Sequence, residues 1–179
     1  MMQTERPPGH PPRTRYLPPM ATPSPYRSLP AERRVALVTH ALSSSREARA
    51  LYVDRLVARG RGFRAVTLKA WPPDRLAREI VRTGAETPQD ELDLLHLLYV
   101  ELEPAIQTTF LEAAGVHHDG GRIPEELETP YADAEAVRRA AAAVRERHGA
   151  DGERYLHTLA RYSREAWPGI EDVAAEGEA

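Results

Sequence analysis

The side chains best equipped for chemistry in this chain are imidazoles and carboxylates at helical spacings. Asp93 and His96 stand three residues apart, Glu103 lies two turns beyond His96, and Glu153 and His157 stand four apart. Residues three or four apart share a helix face. A carboxylate beside an imidazole on a bundle helix follows the logic of metal sites in helical bundles. One reading is therefore a metal-dependent helical enzyme using Asp93, His96 and His157. Neither pair reproduces the Glu-x-x-His pattern of di-iron carboxylate proteins: Asp replaces Glu in the first, and the second is one residue too long. A histidine on an apolar helix is also a common hydrogen-bonded core residue. His117-His118-Asp119-Gly120-Gly121 offers an acid–base or metal loop, although histidines just past a helix C-terminus also complement its last carbonyls. Ser43-Ser44-Ser45 lacks the G-x-S-x-G setting of an activated serine and reads as a helix cap.

A second pattern is basic. Ala58-Arg59-Gly60-Arg61-Gly62-Phe63-Arg64-Ala65-Val66-Thr67-Leu68-Lys69-Ala70-Trp71 resembles the helix-turn-helix core of bacterial DNA-binding domains. Ala58 and Gly62 match its small residue and its turn glycine, and Phe63, Leu68 and Trp71 match three apolar positions. A small alanine lets two helices cross closely, and glycine adopts the left-handed turn conformation. The resemblance implies a nucleic-acid surface made by Arg59, Arg61, Arg64, Thr67 and Lys69, with Arg64, Thr67 and Lys69 facing the groove or the phosphates. The motif, over 53–71, is degenerate. Arg61 sits where an apolar residue usually packs, Gly60 weakens the first helix, and Pro72-Pro73 ends the second after about two turns. The competing reading is a glycine-rich basic loop joining two core helices.

Charge is distributed unevenly. Residues 1–82 carry 15 Arg, one Lys and six acids, whereas 83–179 carry eight Arg and 21 acids. Such a split suggests a polyanion-binding half, internal neutralisation, or head-to-tail pairing between chains. The chain has no cysteine, which excludes disulfides, a thiol nucleophile and thiolate-held zinc or iron–sulfur sites. Its longest nearly unbroken apolar stretch, Leu92–Val100, which contains Asp93 and His96, is far short of the roughly 20 residues that span a bilayer. Without an apolar run after the first basic residues, the expectation is a cytoplasmic protein with no membrane association.

The elements that must position these groups are helical. Residues 1–27 hold eight prolines and few aliphatic residues, and read as a disordered or polyproline-like arm that serves as a linker. Residues 28–170 read as one all-α domain, a compact bundle of about six helices, and 171–179 as a frayed acidic tail. Start and stop signals recur: Ser44 with Glu47, Gly60, Pro72-Pro73, Gly84, Thr87-Pro88 with Asp90, Gly115, Gly149 and Pro168-Gly169. The centre is an apolar helix over about 88–115, kinked at Pro104, which cannot donate to the carbonyl of Val100. Its leucines fall on several sides, so the expectation is a rod touched all round. Phe63–Ala70 could alternate as a strand but has nothing to pair with.

The function these features favour is that of a non-enzymatic interaction or regulatory module with a protein partner or self-association and no cofactor. Acidic faces at Glu101, Glu125, Glu126 and Glu128 would meet arginine-rich faces from residues 33–82. The DNA-binding and metal-enzyme readings are the alternatives.

Overall fold

A computed structural model describes residues 24–60 and 62–177. The described residues form helices α1 (Ala31–Ser44), α2 (Arg46–Ala58), α3 (Ala65–Ala70), α4 (Pro73–Thr83) and α5 (Pro88–His96). A π-helical segment (Leu97–Leu102), α6 (Pro104–Ala114), α7 (Ala134–Tyr162) and α8 (Ile170–Glu176) follow. The architecture is all-α, with α3 and α8 as short additions to the expected set. Phe63–Ala70 supplies α3, not a strand.

Local chemistry explains most boundaries. Thr87 caps α5 by accepting from the Asp90 amide, while the Asp90 carboxylate accepts from the Thr87 amide at 2.6 Å. Pro73 opens α4, and Gly84 (φ 61°) and Gly115 (φ 73°) close α4 and α6 in the left-handed conformation. Ser45, one residue past the expected cap, starts α2 by accepting from the Ala48 amide at 3.1 Å. Ser44 is still inside α1, its hydroxyl donating to the His40 carbonyl at 2.9 Å. Gly149 (φ 52°, ψ −126°) bends α7 into two legs.

Two helix pairs carry the core. α1 packs along α4 through Leu37, Val38 and Leu42 against Leu76, Ala77 and Ile80, all buried. α6 packs along α7 through Ile106, Phe110 and Leu111 against Val137, Ala140, Ala141 and Val144. α5 touches α1 and leads through the π segment into α6. Its leucines are not enclosed on every side, which corrects the expectation of a surrounded rod. Leu94, Leu95, Leu98 and Tyr99 are buried, but Leu92, Leu97 and Val100 are half-buried and Leu102 is 42% exposed. The break before Pro104 is also broader than a kink: after the π turns, Glu103 leaves helical geometry at φ −131°, ψ 55°.

The folded part begins earlier and ends later than the apolar periodicity suggests. Residues 24–27 belong to it, because Tyr26 is fully buried and its hydroxyl donates to Glu86 Oε1 at 2.8 Å. The rest of the proline-rich arm, residues 1–23, lies outside the described residues. The stretch expected to fray forms α8, whose Val173 and Ala174 are buried against α7. Arg145 donates to the Val173 carbonyl at 2.5 Å.

Part of the charge split is resolved inside the chain. Arg27 meets Glu91 at 2.5 Å and Glu86 at 3.7 Å, Arg33 bridges Asp151 (2.6 Å) and Glu103, and Arg55 pairs with Asp90. Each of these pairs joins a basic residue of the first half to an acid of the second. Glu86, Asp90 and Glu91 are buried, so these arginines compensate carboxylates that would be costly to desolvate alone. Asp151 shows the balance: burial raises its carboxyl, yet hydrogen bonds and charge from Arg33 and Arg154 bring it below the ordinary 3.8.

Candidate functional site

A different set of basic side chains faces outward from the corner formed by α3 and α4. α4 buries Leu76, Ala77 and Ile80, which turns Arg75, Arg78 and Arg82, at positions i, i+3 and i+7, to its other face. Arg78 and Arg82 are 64% and 58% exposed in their side chains. Each has a neighbouring carboxylate on the same helix, Asp74 for Arg78 and Glu79 for Arg82, both at 2.5 Å. Hydrogen bonding and charge from Glu79 raise the Arg82 pKa further, so it is permanently cationic.

Aromatic rings complete the corner. Phe63 and Trp71 meet edge to face with centroids 5.1 Å apart, and the Arg75 guanidinium lies 4.1 Å above the Trp71 ring. Together with Arg78, Glu79 and Arg82 they line an open cleft of about 330 Å³. The cleft can take an apolar side chain against the rings while its arginines meet carboxylates or phosphates as planar forks.

Of the residues expected to meet nucleic acid, Arg64, just before α3, and Thr67 and Lys69 on it are exposed, beside Val66, which is 72% exposed. Arg59 does another job. It donates to the Thr83 and Gly84 carbonyls at 2.6 and 2.9 Å and so caps the end of α4. Arg61 lies outside the described residues. Arg49 braces the corner from behind by donating to the Lys69 carbonyl at 3.1 Å and to that of Trp71. A helix, a turn and a second helix are present, but α3 has six residues, about 9 Å of reach at 1.5 Å per residue.

The structure does not assemble Asp93, His96 and His157 into a metal centre. Asp93 accepts from Gln89 at 2.8 Å, His96 is exposed on α5, and His157 sits 3.8 Å from Glu153. Among the described residues no three His, Asp or Glu side chains converge where they could share a metal ion. In the His117–Gly121 loop, His118 accepts from the Gly121 amide at 3.2 Å and Gln107 donates to the Gly121 carbonyl at 2.6 Å. Those contacts fold the loop.

Arg75, Arg78 and Arg82 lie beyond the helix-turn-helix-like motif, which ends at Trp71. Their helical spacing, and the four-residue step from Trp71 to Arg75, were the available signals. Comparison with protein-family models, curated proteins and solved structures finds no match.

Proposed function

We propose that the protein is a non-enzymatic interaction module that binds an acidic protein segment on the α3–α4 corner. The observation that carries this reading is the Phe63–Trp71 cleft roofed by Arg75 and flanked by Arg78 and Arg82. An apolar side chain seated on the rings gives such a complex its anchor, while the surrounding guanidiniums select carboxylates. Asp74 and Glu79 keep the arginines paired in the free protein and are exchanged for partner carboxylates on binding.

A specific observation also favours duplex DNA: Arg64 at the start of α3 and Thr67 and Lys69 on it are all exposed. The carboxylates of Asp74 and Glu79 on the same face, the shortness of α3 and the commitment of Arg59 to α4 weigh toward the acidic segment. Fluorescence anisotropy separates the two. A labelled peptide of Glu and Asp around a single Leu binds the full chain, and Arg78→Glu with Arg75→Glu abolishes that binding. A labelled duplex that binds at about 50 mM salt and is lost steeply by about 200 mM, with no peptide binding, replaces this reading with the DNA one.

A further inference from the structure

On another side of the molecule, a groove of about 450 Å³ runs between α5, the π segment and the end of α7. It gathers four of the chain's seven tyrosines and one of its two tryptophans. The rings form a continuous series: Tyr99 to Tyr155 (4.8 Å), Tyr155 to Phe110 (5.7 Å), Phe110 to Trp167 (4.9 Å) and Trp167 to Tyr131 (5.3 Å). Tyr99, Tyr155 and Trp167 are buried, so the floor is rigid, while Tyr131 and Tyr162 are half-buried at the opening. Burial pushes the Tyr99 hydroxyl up to about 12, so it is uncharged at neutral pH. Glu165 stands exposed on the rim.

We propose that this groove is the docking site for the chain's own proline-rich segment, residues 7–19, in the same molecule. The chain enters the fold at Ser24, whose hydroxyl donates to Glu91, and the next residue of α5, Leu92, already lines the groove. The groove continues along α5 to His96, about 8 Å beyond Glu91 at 1.5 Å per residue. At about 3.1 Å per residue in a polyproline helix, Pro19 can lie up to about 16 Å from Ser24 and Pro7 about 50 Å. The reach is ample.

Residues 7–19 contain six prolines, two arginines (Arg13 and Arg15) and no acid. Proline-rich segments dock on aromatic-lined grooves because their fixed φ leaves little entropy to lose and their rings lie flat on aromatic faces. The arginines complement Glu165. The outer ring of Tyr162 already accepts a guanidinium, that of Arg161, at 5.7 Å. Tethering within one molecule raises the effective concentration to about the millimolar range for a short linker, so modest contacts suffice.

The chain lacks cysteine, so Thr14→Cys gives a single site for a nitroxide spin label on the full chain. The docked arm makes the Trp167 indole N–H signal lose most of its intensity relative to the reduced label. Replacing Pro11, Pro12, Pro18 and Pro19 with Ala restores it. An unattenuated Trp167 signal overturns the proposal, as does attenuation that survives the four replacements. Attenuation in a mixture of labelled chain and separate isotope-enriched chain, at the strength seen within one molecule, makes the occupant a second copy and overturns docking in the same molecule.

Discussion

Arginine does opposite work in two regions of this molecule. At the seam between the chain's halves, Arg27, Arg33 and Arg55 are mostly covered and reach across to Glu86, Asp90, Glu91, Glu103 and Asp151. On the α3–α4 corner, Arg78 and Arg82 are mostly exposed and, among the described residues, pair with carboxylates three or four residues away on their own helix. Long-range pairs tie elements together, and losing one partner strands a buried charge. Same-helix exposed pairs contribute little to stability and leave the guanidinium available to a partner. Both regions pair arginine with carboxylate, so location decides whether a charge holds the fold or offers a surface.

The sharpest way to break the contrast is at Tyr26, which fastens the chain's entry point to the seam. Tyr26→Ala removes a fully buried ring and leaves Glu86 without its hydroxyl donor. The expected loss is about 3–5 kcal/mol in a denaturant melt. A neutral outcome would mean that residues 24–29 do not pack on α4 and α5. Arg55→Ala comes next. It leaves the buried Asp90 with only its Thr87 contacts and should cost about 2 kcal/mol, less than a fully buried pair because Arg55 is partly exposed.

Acid titration probes the seam more gently. Asp151 is held below 3.8 in the fold, so its contribution is complete above that ordinary value and disappears as pH falls through the lower folded one. Melting temperature should therefore drop below about pH 4, and Asp151→Asn should flatten part of that drop. Smallest of all is Arg78→Ala. Its melting temperature should match that of the parent chain, because the pair it breaks is exposed, while binding of the acidic peptide weakens. A destabilised Arg78→Ala would erase the distinction between the two regions.

What could be read from the sequence follows the same division between near and far. The Thr87–Asp90 capping box, the opening of α4 at Pro73, the left-handed stops at Gly84 and Gly115 and the bend at Gly149 depend on residues within one turn, and the local pattern shows them. The burial of Tyr26 depends on Glu86, 60 residues away. Nothing in a stretch rich in proline announces that contact. α8 is equally cryptic, since its few apolar residues acquire meaning only against α7. At the corner, Arg64, Thr67 and Lys69 were legible as an exposed set, but the capping role of Arg59 required knowing that the end of α4 lies beside it.

The bend at Gly149 is a fixed corner. Its backbone lies at a positive φ with ψ −126°, a region essentially reserved for glycine. Gly152 passes so close to the Val144 carbonyl that an added Cβ would sit 2.6 Å from that oxygen. Arg145 and Glu153 clasp across the turn at 2.7 Å. One leg of α7 carries Tyr155 and Tyr162 to the groove and the other carries Val137 and Val144 into the core, so the angle set at this glycine corner decides where the groove stands relative to α6 and α8.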